Sequence, residues 1–235
     1  MLGTLFLIPT TIGSECWEMV IPPTVIAQTR SLKHFIVEDI RTTRRYLSKI
    51  GVLTPIDQIE FQLLNEHTKQ TEIEMLLKPI LEGIDVGLLS EAGLPAVADP
   101  GSQLVAFAHR KGIKVVPLTG PSSIFLTLMA SGLNGQNFAF VGYLPIKSDE
   151  RKKRIKQLEL RSKQEKQTQI FIEAPYRNLH VFQDILNECS SETLLTLGVE
   201  LTTSSEYIST KKIREWKNSA LPDINKKNCV FCLFV

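Results

Sequence analysis

The sequence has 235 residues, 43% of them hydrophobic, with 27 basic and 25 acidic side chains and a formal net charge of +2. That length allows one large domain or two small ones. The near-balance of charge excludes a chain-wide affinity for polyanions, so any basic footprint for nucleic acid must be local. No apolar stretch approaches the roughly 18 residues of a transmembrane helix, so no membrane association is expected. The start of the chain lacks the basic residues and long apolar run of a signal peptide. Four scattered cysteines, Cys16, Cys189, Cys229 and Cys232, fit a reducing compartment better than a disulfide framework, so a cytoplasmic location is expected.

In chain order, Leu5-Phe6-Leu7-Ile8 predicts a short buried strand, broken by Pro9 and Gly13. Pro22 and Pro23 open a helix over 24–28. Phe35-Ile36-Val37 predicts a second strand that delivers Glu38 and Asp39 to its end, and a helix over 42–50 stops at Gly51. Residues 60–65 predict a weak strand. Apolar residues at 73, 76, 77, 80 and 81 predict a helix over 71–82, with Pro79 marking a kink or early stop. Two strand, Gly/Pro loop, helix units follow within residues 85–123, built on the apolar runs 86–89 and 115–118. This βαβα rhythm predicts a mainly parallel sheet for residues 1–118.

The rhythm then changes. Helices are expected over 122–131, 149–166 and 179–186, and strands over 138–141, 169–172, 194–199, 206–208 and 228–235. Three closing strands with little helix between them predict a mixed sheet. The expected organisation is two α/β domains, 1–118 and 119–235.

The usual phosphate-binding signatures are missing: no GxxxxGK[ST] occurs, and no GxGxxG follows a strand. Small residues and prolines stand in their place at 9–13, 92–95, 98–101 and 120–123. Small residues let main chain approach a ligand and prolines stiffen the approach, which suits a ligand without a polyphosphate. The same composition also serves as plain turns between strands and helices, and composition alone leaves both readings open.

The stretch SEAGLPAVADPG followed by LTGPSS resembles the S-adenosylmethionine-dependent tetrapyrrole methylase superfamily, most nearly its ribosomal RNA small subunit methyltransferase I family, the cytidine ribose 2′-O-methyltransferases. GTLFLIPTTIG, EDIRTTRRYLSKIG, NEH, FVGYLP and EAPYR arrive in that family's order and cover about 200 residues of the chain. The resemblance implies a two-domain α/β enzyme, usually a homodimer, with S-adenosylmethionine in the cleft between domains and RNA as substrate. It implies that Gly93-Leu94-Pro95, with Ser90 and Ala92 of the same loop, grips the methionine part of the cofactor. It implies that Pro9 lies under the adenosine or the reacting centre, that Ser122 and Ser123 line the cofactor's linker side, and that Gly142-Tyr143 and Ala174-Pro175 flank the adenine. Departures are visible. Leu94 replaces the superfamily's aspartate, Glu91 replaces the usual aspartate of SDAG, Thr11 replaces the proline of PTPIGN, and an extra C-terminal segment common in the ribosomal RNA enzymes is not seen.

Methyl transfer from a sulfonium is an in-line displacement that depends on positioning. A ribose hydroxyl is a poor nucleophile, so a base that takes its proton adds about 10²–10⁴-fold. Glu38 and Asp39 are the candidate bases, with Arg41 beside them as a catalytic partner. Arg44, His67, Asp99 and Glu173 are candidate substrate contacts. Most have a structural alternative: an ion-pair network at a helix start for the 38–45 segment, an exposed histidine for His67, and a helix cap for Asp99. Cys229 and Cys232 have CxxC spacing, but side chains three apart on a strand face opposite ways, and no metal site is expected. The basic runs 151–156 and 211–217 are candidate RNA-phosphate contacts or solvated helix faces. The leading expectation is an S-adenosylmethionine-dependent methyltransferase acting on a ribose 2′-hydroxyl of ribosomal RNA. The alternatives are a small-molecule, tetrapyrrole-like methylase and a non-catalytic S-adenosylmethionine-binding dimer.

Overall fold

The computed structural model describes every residue except Glu66. The chain divides into two compact units, Met1–Ser122 and Ser123–Val235.

The first unit holds strands β1 (Thr4–Ile8), β2 (His34–Val37), β3 (Glu60–Leu63), β4 (Val86–Leu89) and β5 (Lys114–Pro117), and helices α1 (Pro23–Ser31), α2 (Ile40–Ile50), α3 (Gln70–Met75), α4 (Lys78–Leu81) and α5 (Gly101–Arg110). The sheet runs β3-β2-β4-β1-β5 and every pairing is parallel. Period-two alternation sends successive side chains to opposite faces. Leu5, Ile36, Val86 and Leu88 pack with Ile73, Ile80, Leu104 and Ala108 of α3, α4 and α5. Ile8, Phe35, Val37 and Leu89 pack with Val25, Ile26, Leu47 and Ile50 of α1 and α2. Both faces are therefore covered, which is why these strands read as apolar runs.

The segment expected as one helix over 71–82 is two short helices. The break falls at Leu76 and Leu77, and Pro79 sits in the first turn of α4, where its missing N–H leaves no hydrogen bond unmade.

The second unit holds α6 (Ser123–Ser131), β6 (Phe138–Tyr143), α7 (Ser148–Glu165), β7 (Thr168–Ile172), α8 (Asn178–Glu188), β8 (Leu194–Val199), β9 (Tyr207–Lys212), α9 (Ile213–Lys217) and β10 (Cys229–Phe234). Its sheet runs β6-β7-β10-β8-β9; β6 and β7 are parallel and the other pairs antiparallel, the mixed sheet expected. One face packs Phe171, Leu195, Leu197 and Phe231 against α7, α8 and Trp216 of α9; the other packs Ile170, Val230 and Cys232 against Ile124 and Leu128 of α6. Phe171 and Phe231 face each other across the β7–β10 pair, stacked at 5.3 Å. A buried ion pair joins α7 to α8: Arg151 donates to Asp184 at 2.7 Å and holds the Ile146 carbonyl at 2.8 Å. Strand β9 is longer than the sequence predicts, and the short helix α9 behind it was not expected. Its anchor is the buried Trp216, whose indole N–H donates to the Leu195 carbonyl at 2.9 Å.

Candidate active site in the first unit

In an open α/β sheet, ligands lie outside the carboxyl ends of strands, where neighbouring strands send their connections to opposite faces. Here β1 and β4 are neighbours. The helix after β1, α1, lies on one face and the helix after β4, α5, on the other. The switch point is therefore between the loops that follow Ile8 and Leu89.

Those loops are tied together. The Thr10 N–H donates to the Gly93 carbonyl at 2.9 Å, and the Thr10 hydroxyl stands 3.5 Å from the Ser90 carbonyl. Ser90 is buried and turns its own hydroxyl to the Ala92 carbonyl at 3.4 Å. Gly93 is buried with φ +74°; a β-carbon there would stand 3.0 Å from Ile12 and 3.5 Å from the Pro121 carbonyl. Gly120, after β5, has no room for a side chain because the Pro9 ring fills it. Tyr46 of α2 donates its hydroxyl to the Pro9 carbonyl at 3.2 Å, and burial pushes its pKa up to about 12, so it remains a donor. Pro9, the 90–95 loop and the 118–122 loop thus form one rigid patch.

The loop carrying Leu94 and Pro95 stores strain. Ala96 and Ala98 both have left-handed backbones, φ 65° and 62°, each costing about 1–2 kcal/mol. Asp99 holds this shape: its carboxylate accepts from the Ala96 N–H at 2.9 Å and the Gly101 N–H at 2.7 Å. Burial raises the Asp99 pKa and these two bonds work against the rise. Asp99 therefore shapes the loop and the start of α5 in this structure. Among the described residues, the N–H groups of Ala92, Gly93 and Leu94 donate to nothing else in the chain, so the loop offers main-chain donors on a fixed frame.

Three carboxylates gather at the ends of β2 and β4. Glu38 accepts from the Glu91 main-chain N–H at 3.3 Å. Glu91 has its pKa raised, first by desolvation and then by the negative charges of Glu38 and Asp39. Asp39 is the N-cap of α2, accepting from the Thr42 N–H at 2.7 Å and its hydroxyl at 2.9 Å. Those bonds, with Arg41 adding a smaller contribution, hold its carboxyl below the usual range, which favours a cap over a proton acceptor. Arg41 and Arg44 are exposed on α2, and the Arg44 guanidinium lies 5.4 Å over the Phe61 ring. His67 is exposed beyond β3, its main-chain N–H on the Asn65 side chain at 3.0 Å. Glu66, the middle residue of the NEH match, lies outside the described residues.

The remaining candidates stand as follows. Ser122 closes the first unit and Ser123 opens α6 of the second. Gly142 has φ +71° in a register shift of β6, and Tyr143 beside it is 61% exposed. Ala174 and Pro175 follow β7. Glu173 before them is enclosed: one oxygen accepts from the Ala174 N–H at 2.9 Å, and the other stands 3.1 Å from Arg177 as an ion contact without hydrogen-bond alignment. Arg177 in turn holds the Pro145 carbonyl at 2.9 Å. Glu173 is thus placed to position the 144–145 loop, with no carboxylate surface for a substrate. Cys229 and Cys232 point to opposite faces of the second sheet, burial raises both thiols, and no cluster of metal-ligating side chains occurs among the described residues.

The sequence reading missed Tyr46 and Thr10 as supports of the Pro9 loop, and it did not use Glu91. Tyr46 was legible in principle, since it shares the inward face of α2 with Thr43, Leu47 and Ile50 at helical spacing.

Comparison with known proteins gives the context. Residues 25–216 match the family described as Tetrapyrrole (Corrin/Porphyrin) Methylases. The chain is 32% identical over 231 residues to Ribosomal RNA small subunit methyltransferase I of Vibrio cholerae, covering 98% of this chain and 76% of that protein. The same-named protein of Escherichia coli O157:H7 is 31% identical over 233 residues, covering 99% and 77%. The crystal structure of the methyltransferase CobJ superposes with a TM-score of 0.66 at 16% identity, covering 99% of this chain and 94% of that one. A cobalt precorrin-4 methyltransferase gives 0.61 at 14% identity, covering 98% and 94%. The family match and the relatives that span nearly the whole chain make it an α/β methyltransferase. The chain belongs to the tetrapyrrole methylase family, whose members are S-adenosylmethionine-dependent methyltransferases.

Proposed function

We propose that this protein binds S-adenosylmethionine at the rigid patch formed by the loops after β1, β4 and β5, and methylates a ribose hydroxyl of small-subunit ribosomal RNA. The observation that carries the cofactor assignment is the cradle itself: side chains at Gly93 and Gly120 would collide with Ile12 and Pro9, and among the described residues the N–H groups of Ala92, Gly93 and Leu94 donate to no other group of the chain. Such a cradle suits a ligand gripped by main chain and lacking a polyphosphate. When bound, S-adenosylmethionine supplies an electrophilic methyl group on a sulfonium.

The chain's own residues do the rest. Residues 92–95 orient the amino-acid portion of the cofactor, and Pro9 and Ser122 wall its sides. Glu38 accepts the proton of the attacking hydroxyl, with Glu91 beside it. Desolvation, and then the negative charges of Glu38 and Asp39, raise the pKa of Glu91. Asp39 fixes the start of α2, which carries Arg41 and Arg44 toward the RNA phosphates. Glu38 is preferred over Asp39 as the base because Asp39 spends its carboxylate on the cap.

The ribosomal RNA assignment is supported by the names of the relatives that match nearly the whole chain. We propose a cytoplasmic homodimer, as the family resemblance and the scattered cysteines imply. The test is calorimetric titration with S-adenosylmethionine, followed by transfer of labelled methyl to small-subunit ribosomal RNA. Absence of cofactor binding removes the proposal. Binding with label only in small molecules moves it to the tetrapyrrole-like alternative.

A further inference from the structure

A cavity lies wholly within the second unit, and none of the residues given a cofactor or catalytic role above lines it. It has a volume of about 420 Å³ and opens beside β9, the edge strand of the sheet. Its apolar walls include Tyr207, Leu221 and Pro222, and its polar wall includes Lys211, Lys227 and Asp223. Tyr207 is 41% exposed and Leu221 66%, so both present apolar surface to whatever enters.

The charge around the cavity is one-sided. Residues 207–227 contain six basic side chains (Lys211, Lys212, Arg214, Lys217, Lys226 and Lys227) against Glu215 and Asp223, an excess of four in a chain whose net charge is only +2. Lys212 and Arg214 are both spent on Glu192. The two lysines of the cavity are held differently. The Lys211 ammonium lies 4.7 Å from the centre of the Trp216 ring, which holds it without a carboxylate partner among the described residues. Lys227 pairs with Asp223 at 2.6 Å, and that partner is 82% exposed, so water screens the pair and an incoming anion can replace it. A tyrosine ring, an apolar wall and two ammonium groups in a space of this size match a nucleotide: a flat base against the ring and wall, a phosphate at the lysines.

We infer that the Tyr207–Lys211–Lys227 cavity holds one nucleotide of the RNA substrate outside the reacting position, as a secondary RNA-anchoring site. This rests on the proposed action on RNA. It differs from the reacting site in needing no cofactor and no base. The physics of the contact sets the expected behaviour. Lysine–phosphate pairing releases counterions, so each lost lysine makes the salt dependence of single-stranded RNA binding shallower by about 0.7 in the log–log slope. Stacking depends on the ring and not on the phenol hydroxyl.

The test is methyl transfer to protein-free small-subunit ribosomal RNA by Lys211→Ala, Lys227→Ala, Tyr207→Ala and Tyr207→Phe variants, each checked for an unchanged melting curve and S-adenosylmethionine affinity. The inference expects KM for RNA to rise about tenfold in Tyr207→Ala and in each lysine variant. It expects kcat at saturating RNA to hold, the salt slope to flatten in the lysine variants only, and Tyr207→Phe to behave as the parent. Parent-like KM and salt slope in all four variants overturn it. Unchanged kinetics on free RNA with weakened methylation of assembled subunits also overturn it, because the cavity then contacts a ribosomal protein. If the parent protein binds S-adenosylmethionine but neither binds nor methylates RNA, the proposed function has failed, and the cavity is decided separately. Titration of a Trp17→Phe background with cytidine 5′-monophosphate, read by Trp216 fluorescence, then shows saturable binding that Lys211→Ala weakens, or no response, which overturns the inference.

Discussion

The ring of Pro9 occupies the space that a side chain at residue 120 would need: a β-carbon on Gly120 would lie 2.1 Å from Pro9 Cβ and 2.4 Å from its Cγ. The loops after β1 and β5 can therefore approach only while residue 120 is glycine. Gly120→Ala is expected to push them apart, cost about 1–3 kcal/mol of stability and weaken S-adenosylmethionine binding at least tenfold. Thermal melts and calorimetry check the two effects.

Asp99 should matter through the loop it braces. Asp99→Ala leaves the Ala96 and Gly101 N–H groups without their acceptor, at a cost of about 1–3 kcal/mol, and S-adenosylmethionine affinity falls with it. The opposite change is available at Ala98. With φ at 62°, Ala98→Gly relieves left-handed strain and raises stability by up to about 1 kcal/mol. Denaturant titration of both variants reads the two signs.

The Asp39 cap predicts a pH dependence. Its folded pKa lies below the ordinary value of 3.8 because the Thr42 N–H and hydroxyl bond the charged form. The contribution is therefore complete above pH 3.8 and disappears as pH falls through the depressed folded value. The melting temperature of Asp39→Ala should lie below that of the parent at neutral pH, and the gap should close in strong acid.

Glu91 predicts a pH dependence of the reaction. Burial, and then two negative neighbours, raise its pKa above the ordinary 4.5, so Glu91 takes up its proton above 4.5 as the pH falls and the charge beside the Glu38 base is lost. Glu91→Gln removes that titration, and the change in rate it causes above pH 4.5 disappears. Glu38→Gln lowers kcat by about 10²–10⁴-fold without loss of cofactor affinity. A pH–rate profile of the three proteins separates these outcomes.

In the second unit, Arg151→Ala strands the Asp184 charge in a buried site and should cost about 3–5 kcal/mol. Replacing both partners, Arg151→Met with Asp184→Leu, should recover most of that loss. Thermal melts of the single and double variants measure the difference.

Most of the fold was legible because its strands are buried on both faces and read as apolar runs between Gly and Pro. The helix over 71–82 is interrupted as Pro79 signals, but three residues earlier than the proline: apolar spacing continues across the break at Leu76 and Leu77, and Pro79 opens the second helix instead of ending the first. Helix α9 was invisible because five residues with two buried positions, Ile213 and Trp216, are too few to establish a period. At the site, the motif residues announced themselves by type, but their partners did not. The grip of Tyr46 on Pro9 spans 37 residues of sequence and that of Glu38 on Glu91 spans 53, and no local pattern carries such pairings.

The proposed methyl transfer to a ribose hydroxyl of small-subunit ribosomal RNA, with cofactor in the cradle around Gly93 and Gly120, has a direct test. The direct measurement incubates the purified protein with methyl-labelled S-adenosylmethionine and that RNA, then digests the RNA with alkali. A 2′-O-methyl group blocks cleavage at its own linkage, so label is expected in an alkali-resistant dinucleotide, and absent with Glu38→Gln. Label released in mononucleotides, or no label in RNA while S-adenosylmethionine binds normally, would contradict it.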